Sequence, residues 1–181
     1  KTTGVTTMHM AEGLDTGDMI FKEEIVIYRD ETSFDLHDRL SLIGSNLIIK
    51  TIDKIKDGTA PREKQDNSLS SYAPMLSKEI AIIDFNKNTQ TIYNFIRGMY
   101  SWPCAYTYLN NKSLKIYKAK INNDLFNNDM SGILLSDKKF IISTLDGGIE
   151  FLEVQYEGGK RMSGEDFLRG RNLQKGYIFK N

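Results

Sequence analysis

The sequence is poor in several features that would narrow its class. It has one cysteine, Cys104, in 181 residues, so an internal disulfide is excluded and a reducing, cytoplasmic setting is expected. Lys plus Arg and Asp plus Glu both number 24, so the net charge gives no indication of nucleic-acid binding. Any anion-binding face must therefore come from local clustering. No apolar run reaches the ~18 residues of a membrane span, and we expect no membrane partner.

The first residues also lack two features. "KTTGVTTMHM" has no initiator Met and no charged segment followed by an apolar one, so it does not predict a signal peptide. The chain is expected to open within a strand, as a fragment or a processed product does. Two or three strands and a helix would leave a sheet with an open edge, so we expect an N-terminal half-domain to complete it.

Alternating β-branched residues predict a strand over 4–10, and a second strand is predicted over 19–27. The stretch between them, "AEGLDTGD", carries Asp15 between Gly13 and Gly17, which permit backbone angles closed to other residues. From this pattern alone Asp15 is either a turn residue or an acid held at the end of a strand.

Apolar residues at helical spacing predict a helix over 29–58, capped at Thr32 or Ser33 and ended at Gly58, with a possible break at Gly44-Ser45. Residues 59–79 contain two of the three prolines and have no period, so they are predicted to be a linker.

The second half of the chain has a different pattern. A helix is predicted over 88–100, and a shorter helix is predicted to begin at a capping box on Ser163. Tight turns are expected at Asn110-Asn111 and Asp146-Gly147, and an Asn/Asp-rich loop follows residue 121. The predicted strands are 105–109, 113–121, 132–135, 139–144 and 149–156. Short strands at this spacing predict a small β-barrel of oligonucleotide-binding type. The fold class is thus an α/β fragment over 1–75, ending in the linker, followed by a barrel domain over 76–181.

Four stretches carry a resemblance to a known family. "GVTTMHMAEGLDTGDMI", "SYAPMLSKEIAIIDFNKNTQTIYNFIRGMYSWPCAYT", "LKIYKAK" and "GKRMSGEDFLRG" resemble the second half of the methionyl-tRNA formyltransferases, in order and without a large gap. The "GLDTGD" run is shared by formyltransferases that use 10-formyltetrahydrofolate, whereas the later stretches are more specific to the tRNA enzyme. The resemblance implies that 1–75 is the C-terminal part of a Rossmann-like catalytic domain and that the barrel binds tRNA.

The resemblance also implies a reaction. The family moves a formyl group from 10-formyltetrahydrofolate to the α-amine of methionyl-initiator tRNA for translation initiation. It needs no metal and is usually monomeric. Its catalytic set is an Asn, a His in a His-Gly-Ser-Leu-Leu-Pro run, and an Asp that corresponds to Asp15. The Asn and that His are not in this chain, so the chain alone is expected to be inactive. Cys104 departs from the family's usual Gly after Trp-Pro.

Binding residues follow in part from the resemblance. It implies that Met10, Ala11, Glu12 and Gly13 contact the folate. Basic residues are concentrated in the second half, as a phosphate backbone would require, and Gly158 to Arg161 could cradle a phosphate before the Ser163 helix. The residues predicted to bind tRNA are Lys118, Lys120, Lys138, Lys139, Lys160, Arg161, Arg169 and Arg171. A solvated charged face is the plain alternative. Tyr106, Tyr108 and Tyr117 either stack bases or fill ordinary strand positions.

Three other functions stay open. A formyltransferase acting on an amino sugar would share the "GLDTGD" loop, but a basic C-terminal end would then serve no purpose. The hydrolase domain of formyltetrahydrofolate dehydrogenase has a similar loop and continues differently. A non-catalytic RNA-binding barrel module would make the α/β part a remnant.

Overall fold

The computed structural model describes residues 1–122 and 130–179. The chain separates into two compact units, Lys1–Met75 and Leu76–Asn181.

The first unit contains two antiparallel strands. β1 (Thr2–Met8) pairs with β2 (Met19–Val26), with a register shift between Thr7 and Met8. Both predicted strands are present, but β1 starts and ends earlier than predicted. The ladder continues past the register shift to the pair of Met8 with Met19, and from His9 onwards the chain belongs to the connecting loop.

One continuous helix, α1 (Ser33–Lys56), follows. Thr32 caps it in a capping box: the Asp35 backbone N–H donates to the Thr32 hydroxyl, and the Thr32 N–H donates to the Asp35 carboxylate. The break predicted at Gly44-Ser45 is absent. A Cβ at Gly44 would lie at an ordinary contact distance, 3.6 Å, from the Val5 side chain, so Gly44 faces β1.

The predicted linker begins as part of this unit. Met19 N donates to Glu63 O at 2.8 Å and Glu63 N donates to Met19 O at 3.0 Å, which adds a short backbone pairing beside β2. A 3₁₀ turn follows at Asn67–Leu69.

The second unit is built on one five-stranded antiparallel sheet with two helices. A 3₁₀ turn at Glu79–Ala81 precedes α2 (Thr89–Gly98), and the other elements are β3 (Tyr106–Leu109), β4 (Lys112–Asn122), β5 (Ile141–Ser143), β6 (Gly148–Tyr156), β7 (Arg161–Ser163) and α3 (Gly164–Arg171). The strand order is β3-β4-β6-β5, and β7 also pairs with β6. Both helices predicted for this unit are present, and Ser163 caps α3 by accepting from Asp166 N.

One strand prediction for this unit is wrong, and the prediction of a barrel is not confirmed. Residues 132–135 do not form a strand, because Ile133 and Leu134 make only isolated bridges, with Ile178 and Ile142. A closed barrel is not confirmed: within 1–122 and 130–179, the strand path ends at β3 and β5 without pairing them. The structure shows a mixed α/β unit with an antiparallel sheet. The Asn/Asp-rich loop falls mostly on 123–129, outside the described residues.

The core of the second unit is aromatic at its centre. The Phe140 ring stacks on Phe167 of α3 with centroids 5.7 Å apart, and it lies 5.3 Å from Phe151 of β6 and 5.6 Å from Phe179. These contacts fix α3 against the sheet. The adjacent hairpin between β3 and β4 turns at Asn110 and Asn111, whose φ values of 51° and 61° match the predicted tight turn.

Candidate functional site

Residues 9–18, which we call the acid loop, connect β1 to β2. His9 N donates to Asp18 O at 2.9 Å and closes the loop at its base. Gly17 is required there, because a Cβ at that position would lie 1.6 Å from the His9 carbonyl oxygen. The sequence predicted a glycine-bracketed loop after a strand, and the structure closes that loop tightly at one of its two glycines.

Asp15 lies on the acid loop in the left-handed region, with φ of 52°, which Asp tolerates better than most residues. Its side chain is exposed. Within the described part of the chain, its carboxylate has no hydrogen bond or ion pair. An exposed, unpaired carboxylate can accept a hydrogen bond from an imidazole or a water supplied by another group.

The residues predicted to contact folate lie beside Asp15 on the same loop. They are Met10, Ala11, Glu12 and Gly13, and all are exposed. Met10 is 93% exposed and the neighbouring Leu14 is 79% exposed, so the acid loop presents an apolar surface next to its carboxylate. Such a surface can take a flat, largely apolar ring.

A segment 43 or more residues away in sequence, 61–65, holds the acid loop. The Gln65 side-chain amide donates to the carbonyl oxygens of Asp15 and Gly17, both at 2.7 Å. Arg62 forms an ion pair with Asp18 at 3.2 Å. Sequence reasoning missed these residues, since they lie in a stretch without periodicity and nothing in it points to the loop.

Three of the predicted tRNA-binding residues pair with acids of their own unit: Lys120, Arg161 and Arg169. Lys120 Nζ lies 3.2 Å from Glu150 Oε2, and that carboxylate is 5% exposed. The oxygen accepts no well-directed hydrogen bond from the described residues, so the contact is one of charge attraction. Arg169 forms an ion pair with Asp166 one turn earlier on α3. The charges of Lys120 and Arg169 are therefore partly neutralised by these acids.

Two of the predicted tRNA-binding arginines stack on aromatic rings, and one of them, Arg161, is also among the residues that face an acid. The Arg161 guanidinium lies 3.4 Å from the centre of the Tyr117 ring and 3.6 Å from Glu153. The Arg171 guanidinium lies 3.9 Å from the centre of the Tyr156 ring. Cation–π contacts of this kind orient an arginine without removing its charge.

The remaining predicted tRNA-binding residues are Lys118, Lys138, Lys139 and Lys160. Their side chains are exposed, and no ion pair to them is found in residues 1–122 and 130–179. They are consequently the cations most available to an external phosphate.

The tyrosines predicted either to stack bases or to fill strand positions differ in exposure. Tyr117 is 8% exposed, and Arg161 lies over its ring. Burial, and then the hydrogen bond with the adjacent Tyr108 hydroxyl, together raise the pKa of Tyr106 to about 12. The rings of Tyr106 and Tyr108 meet edge to face with centroids 5.5 Å apart. Tyr108 is 38% exposed, so among these tyrosines it is the most accessible to a nucleotide.

Cys104 occupies a glycine-like position. Its φ is 68°, in the left-handed region, and its side chain is 1% exposed. Burial raises the pKa of its thiol. A buried thiol with a raised pKa is not poised for nucleophilic chemistry.

Neither a metal centre nor a membrane helix was found in the part of the chain that the structure describes. Its His, Cys, Asp and Glu side chains form no group of three or more that could hold a metal ion. Its helices include none long and apolar enough to cross a bilayer.

Comparisons with known proteins place these features in a family. The model for "Formyl transferase, C-terminal domain" matches residues 75–172, and the model for "Formyl transferase" matches residues 1–52. A methionyl-tRNA formyltransferase of Geobacter metallireducens is 45% identical over 176 residues, covering 96% of this chain and 56% of the relative. One of Clostridium acetobutylicum is 43% identical over 179 residues, covering 98% and 58%.

A solved structure supports the same family. The N-formyltransferase from Helicobacter canadensis, in complex with folinic acid and dTDP-3-aminofucose, superposes with a TM-score of 0.66 at 28% identity, covering 83% of this chain and 55% of that one. The chain spans a little over half the length of the curated relatives that it matches. Because the C-terminal model covers more than half of the chain and the other model covers β1, β2 and most of α1, the chain belongs to the formyl transferase family.

Proposed function

We propose that this chain serves the transfer of a formyl group from 10-formyltetrahydrofolate to the α-amine of methionyl-initiator tRNA. The observation that carries the proposal is the similarity to the Geobacter metallireducens methionyl-tRNA formyltransferase, which runs through both units at 45% identity. In this reaction the amine nitrogen bonds to the formyl carbon, the bond from that carbon to the folate nitrogen breaks, and tetrahydrofolate leaves. The amine gives up a proton to a base.

Asp15 is the catalytic carboxylate in this proposal. Its role is to orient an imidazole and help position a water that relays the proton, as the acid of a hydrolase triad orients its histidine. Support comes from its place on a closed loop after β1 and from its unpaired carboxylate. The imidazole and an Asn that stabilises the oxyanion would come from a preceding half-domain.

The acid loop is also the proposed folate contact. Met10, Ala11, Glu12 and Gly13 lie exposed beside Asp15, with apolar surface on Met10. The related N-formyltransferase from Helicobacter canadensis was solved with folinic acid, a formylated folate. These residues therefore fit a formyl-folate donor as substrate.

We assign the two units different tasks within this function. Residues 1–75 would be the C-terminal part of a Rossmann-like catalytic domain, ending in a linker, and residues 76–181 would be the tRNA-binding domain of oligonucleotide-binding type. The length that the chain covers in its relatives, 56% and 58%, supports a preceding half-domain. DNA upstream of codon 1 should encode that half with its His-Gly-Ser-Leu-Leu-Pro run.

Within the second unit, the tRNA contact is proposed for the lysines without ion pairs. These are Lys118, Lys138, Lys139 and Lys160. Lys120, Arg161 and Arg169 face acids inside the unit and would contribute less. Arg171 stacks on Tyr156 but keeps its charge, so it would contribute as well. A phosphate gains most from a cation that has no competing anion.

Formylation assays test the function. The complete polypeptide, in which the preceding half-domain is joined to residue 1, should formylate methionyl-tRNA, and the 181-residue chain alone should not. Asp15→Asn should lower kcat by about two to four orders of magnitude with tRNA binding nearly unchanged. Asp18→Asn is the matched control on the same loop, and we expect less than about a fivefold loss because its carboxylate pairs with Arg62.

Other results would contradict the proposal. Turnover with a nucleotide-linked amino sugar but not with methionyl-tRNA would assign the chain to the sugar enzymes. Robust transfer by the 181-residue chain alone would show that the Asn and His are not needed.

Salt dependence tests the tRNA face. The logarithm of tRNA affinity should fall with the logarithm of salt concentration, and removing each contacting lysine should lower the slope by about 0.7 to 0.9. Lys138→Met together with Lys139→Met should flatten the slope more than Lys120→Met, because Lys120 already faces Glu150. Affinity that is absent, or that does not change with salt, would argue for a non-RNA acceptor.

A further inference from the structure

Two side chains from outside the acid loop hold it: Arg62 pairs with Asp18, and Gln65 binds the backbone on either side of residue 16. We propose that Gln65 is a positioning residue for Asp15: its amide fixes the backbone turn that sets the direction of the Asp15 carboxylate. The inference rests on the proposed function, in which that carboxylate takes part in catalysis.

The geometry of the amide is specific to this task. Nε2 of Gln65 carries two hydrogens, and it has two carbonyl acceptors, at Asp15 and Gly17, each at 2.7 Å. Both acceptors belong to the same turn, so a single group bridges the backbone on either side of residue 16. A side chain that cannot donate two hydrogen bonds cannot replace it.

Asp15 depends on this bridge because little else holds it. Its side chain is exposed, and its carboxylate contacts no hydrogen-bond donor in the described residues. Its φ of 52° lies in the left-handed region, which costs an ordinary residue energy and needs outside support. With no side-chain anchor, the position of the carboxylate is set by the backbone that Gln65 fastens.

The segment that carries Gln65 is itself tied to the first unit at two residues that shortly precede it, Arg62 and Glu63. The two backbone hydrogen bonds between Glu63 and Met19 tie its segment to β2, and the ion pair of Arg62 with Asp18 adds a second tie. Its amide nitrogen also lies 3.8 Å from the Met8 sulfur at the end of β1. The donor is thus held in place before any ligand arrives.

Two variants distinguish the hydrogen bonds that Gln65 donates from the space that its side chain fills. Gln65→Leu keeps the approximate size and removes both donors. Gln65→Glu keeps the length, but as a carboxylate it can only repel the two carbonyls, and when protonated it can donate one hydrogen bond. Arg62→Met is the matched control in the same segment, because it removes the tie to Asp18 and leaves the amide bridge intact.

Hydrogen exchange on the 181-residue chain measures how firmly the acid loop is held, and it does not depend on enzyme activity. In Gln65→Leu and Gln65→Glu, amides of residues 9–18 should exchange about ten- to thirtyfold faster, since two hydrogen bonds are lost. In Arg62→Met the change should stay below about threefold. Unchanged exchange in both Gln65 variants would overturn the inference, whatever the enzyme does.

Kinetic measurements on the complete polypeptide test whether Gln65 positions Asp15 for catalysis. Both Gln65 variants should lower kcat about ten- to a hundredfold with KM for folate and tRNA unchanged within about twofold. Activity of Gln65→Glu should recover in part as pH falls and its carboxyl group gains a proton, which Gln65→Leu cannot show. If Asp15→Asn is inactive while the Gln65 variants are fully active, the positioning inference fails alone; if Asp15→Asn is fully active, the proposed role of Asp15 fails.

Discussion

Replacing Gly17 by alanine tests whether the acid loop has one conformation. The new Cβ would lie 1.6 Å from the His9 carbonyl oxygen, so the loop must move. Movement there disrupts the hydrogen bond from Gln65 to the Gly17 carbonyl and the one from His9 N to Asp18 O. Two hydrogen bonds at about 1 kcal/mol each give a loss of about 2 kcal/mol in loop closure, which is roughly a thirtyfold rise in the open fraction.

Hydrogen exchange of the peptide that covers residues 9–18 measures this rise. Gly44→Ala is the control, since it makes the same chemical change in the same unit. There the Cβ would meet the Val5 side chain at an ordinary 3.6 Å, and alanine is the better helix former by about 1 kcal/mol, so the urea midpoint should rise. Loop exchange in Gly17→Ala equal to that of the parent, or a larger loss of stability in Gly44→Ala, would refute the reasoning.

Three further predictions concern the second unit. The backbone N–H of Thr89 donates a hydrogen bond to the Asp146 carboxylate, and this lowers the pKa of Asp146 below 3.8. Asp146 therefore stabilises α2 fully above pH 3.8. It loses this effect as the pH falls through its lowered pKa in the folded state. Asp146→Ala should cost about 1 kcal/mol in urea unfolding at pH 7 and progressively less as the pH falls through the folded pKa of Asp146, and a cost that does not change with pH would contradict this. Cys104 should react with a thiol reagent only on unfolding, because it is buried and burial raises its pKa; rapid labelling of the native chain would contradict this. Lys120→Met should lower the thermal midpoint, because it leaves the Glu150 carboxylate buried without its cation, and an unchanged midpoint would show that water reaches that carboxylate.

The local elements of the fold could be predicted from sequence because local rules govern them. Alternation marked β1 and β2, and helical spacing with a capping residue marked α1. Gly44 shows where such rules stop. By propensity it predicted a break, but in the structure α1 runs through it without one, and Gly44 faces Val5.

The missed and mistaken strands have related causes. β7 is three residues long, and it is held by backbone pairing with β6, so no apolar alternation marks it. Residues 132–135 have the apolar run of a strand, yet Leu134 is buried without a continuous ladder. Burial and strand pairing are separate properties, and hydrophobicity reports only the first.

The residues of the candidate site also differ in whether sequence could identify them. Asp15 could be singled out by its setting between glycines and by the family resemblance. Gln65 could not, because its partners at Asp15 and Gly17 lie 50 and 48 residues earlier in the chain. The basic residues also could not be ranked, since sequence gives Lys120 and Lys118 the same charge and only the structure shows that one faces a buried carboxylate.

The burial pattern of the first unit links its stability to its chemistry. Its buried apolar side chains are Ile20 and Leu47, whereas Leu42 and Ile49 on α1 are 68% and 61% exposed. An apolar helix face of this kind is rarely left in water by a stable soluble domain, because covering it is the main source of folding free energy. On our proposal, a preceding half-domain would cover that face and would also bring the Asn and His that the acid loop lacks. One segment would then satisfy both requirements, so the conditions that allow the first unit to reach full stability should be the same conditions that allow Asp15 to take part in formyl transfer.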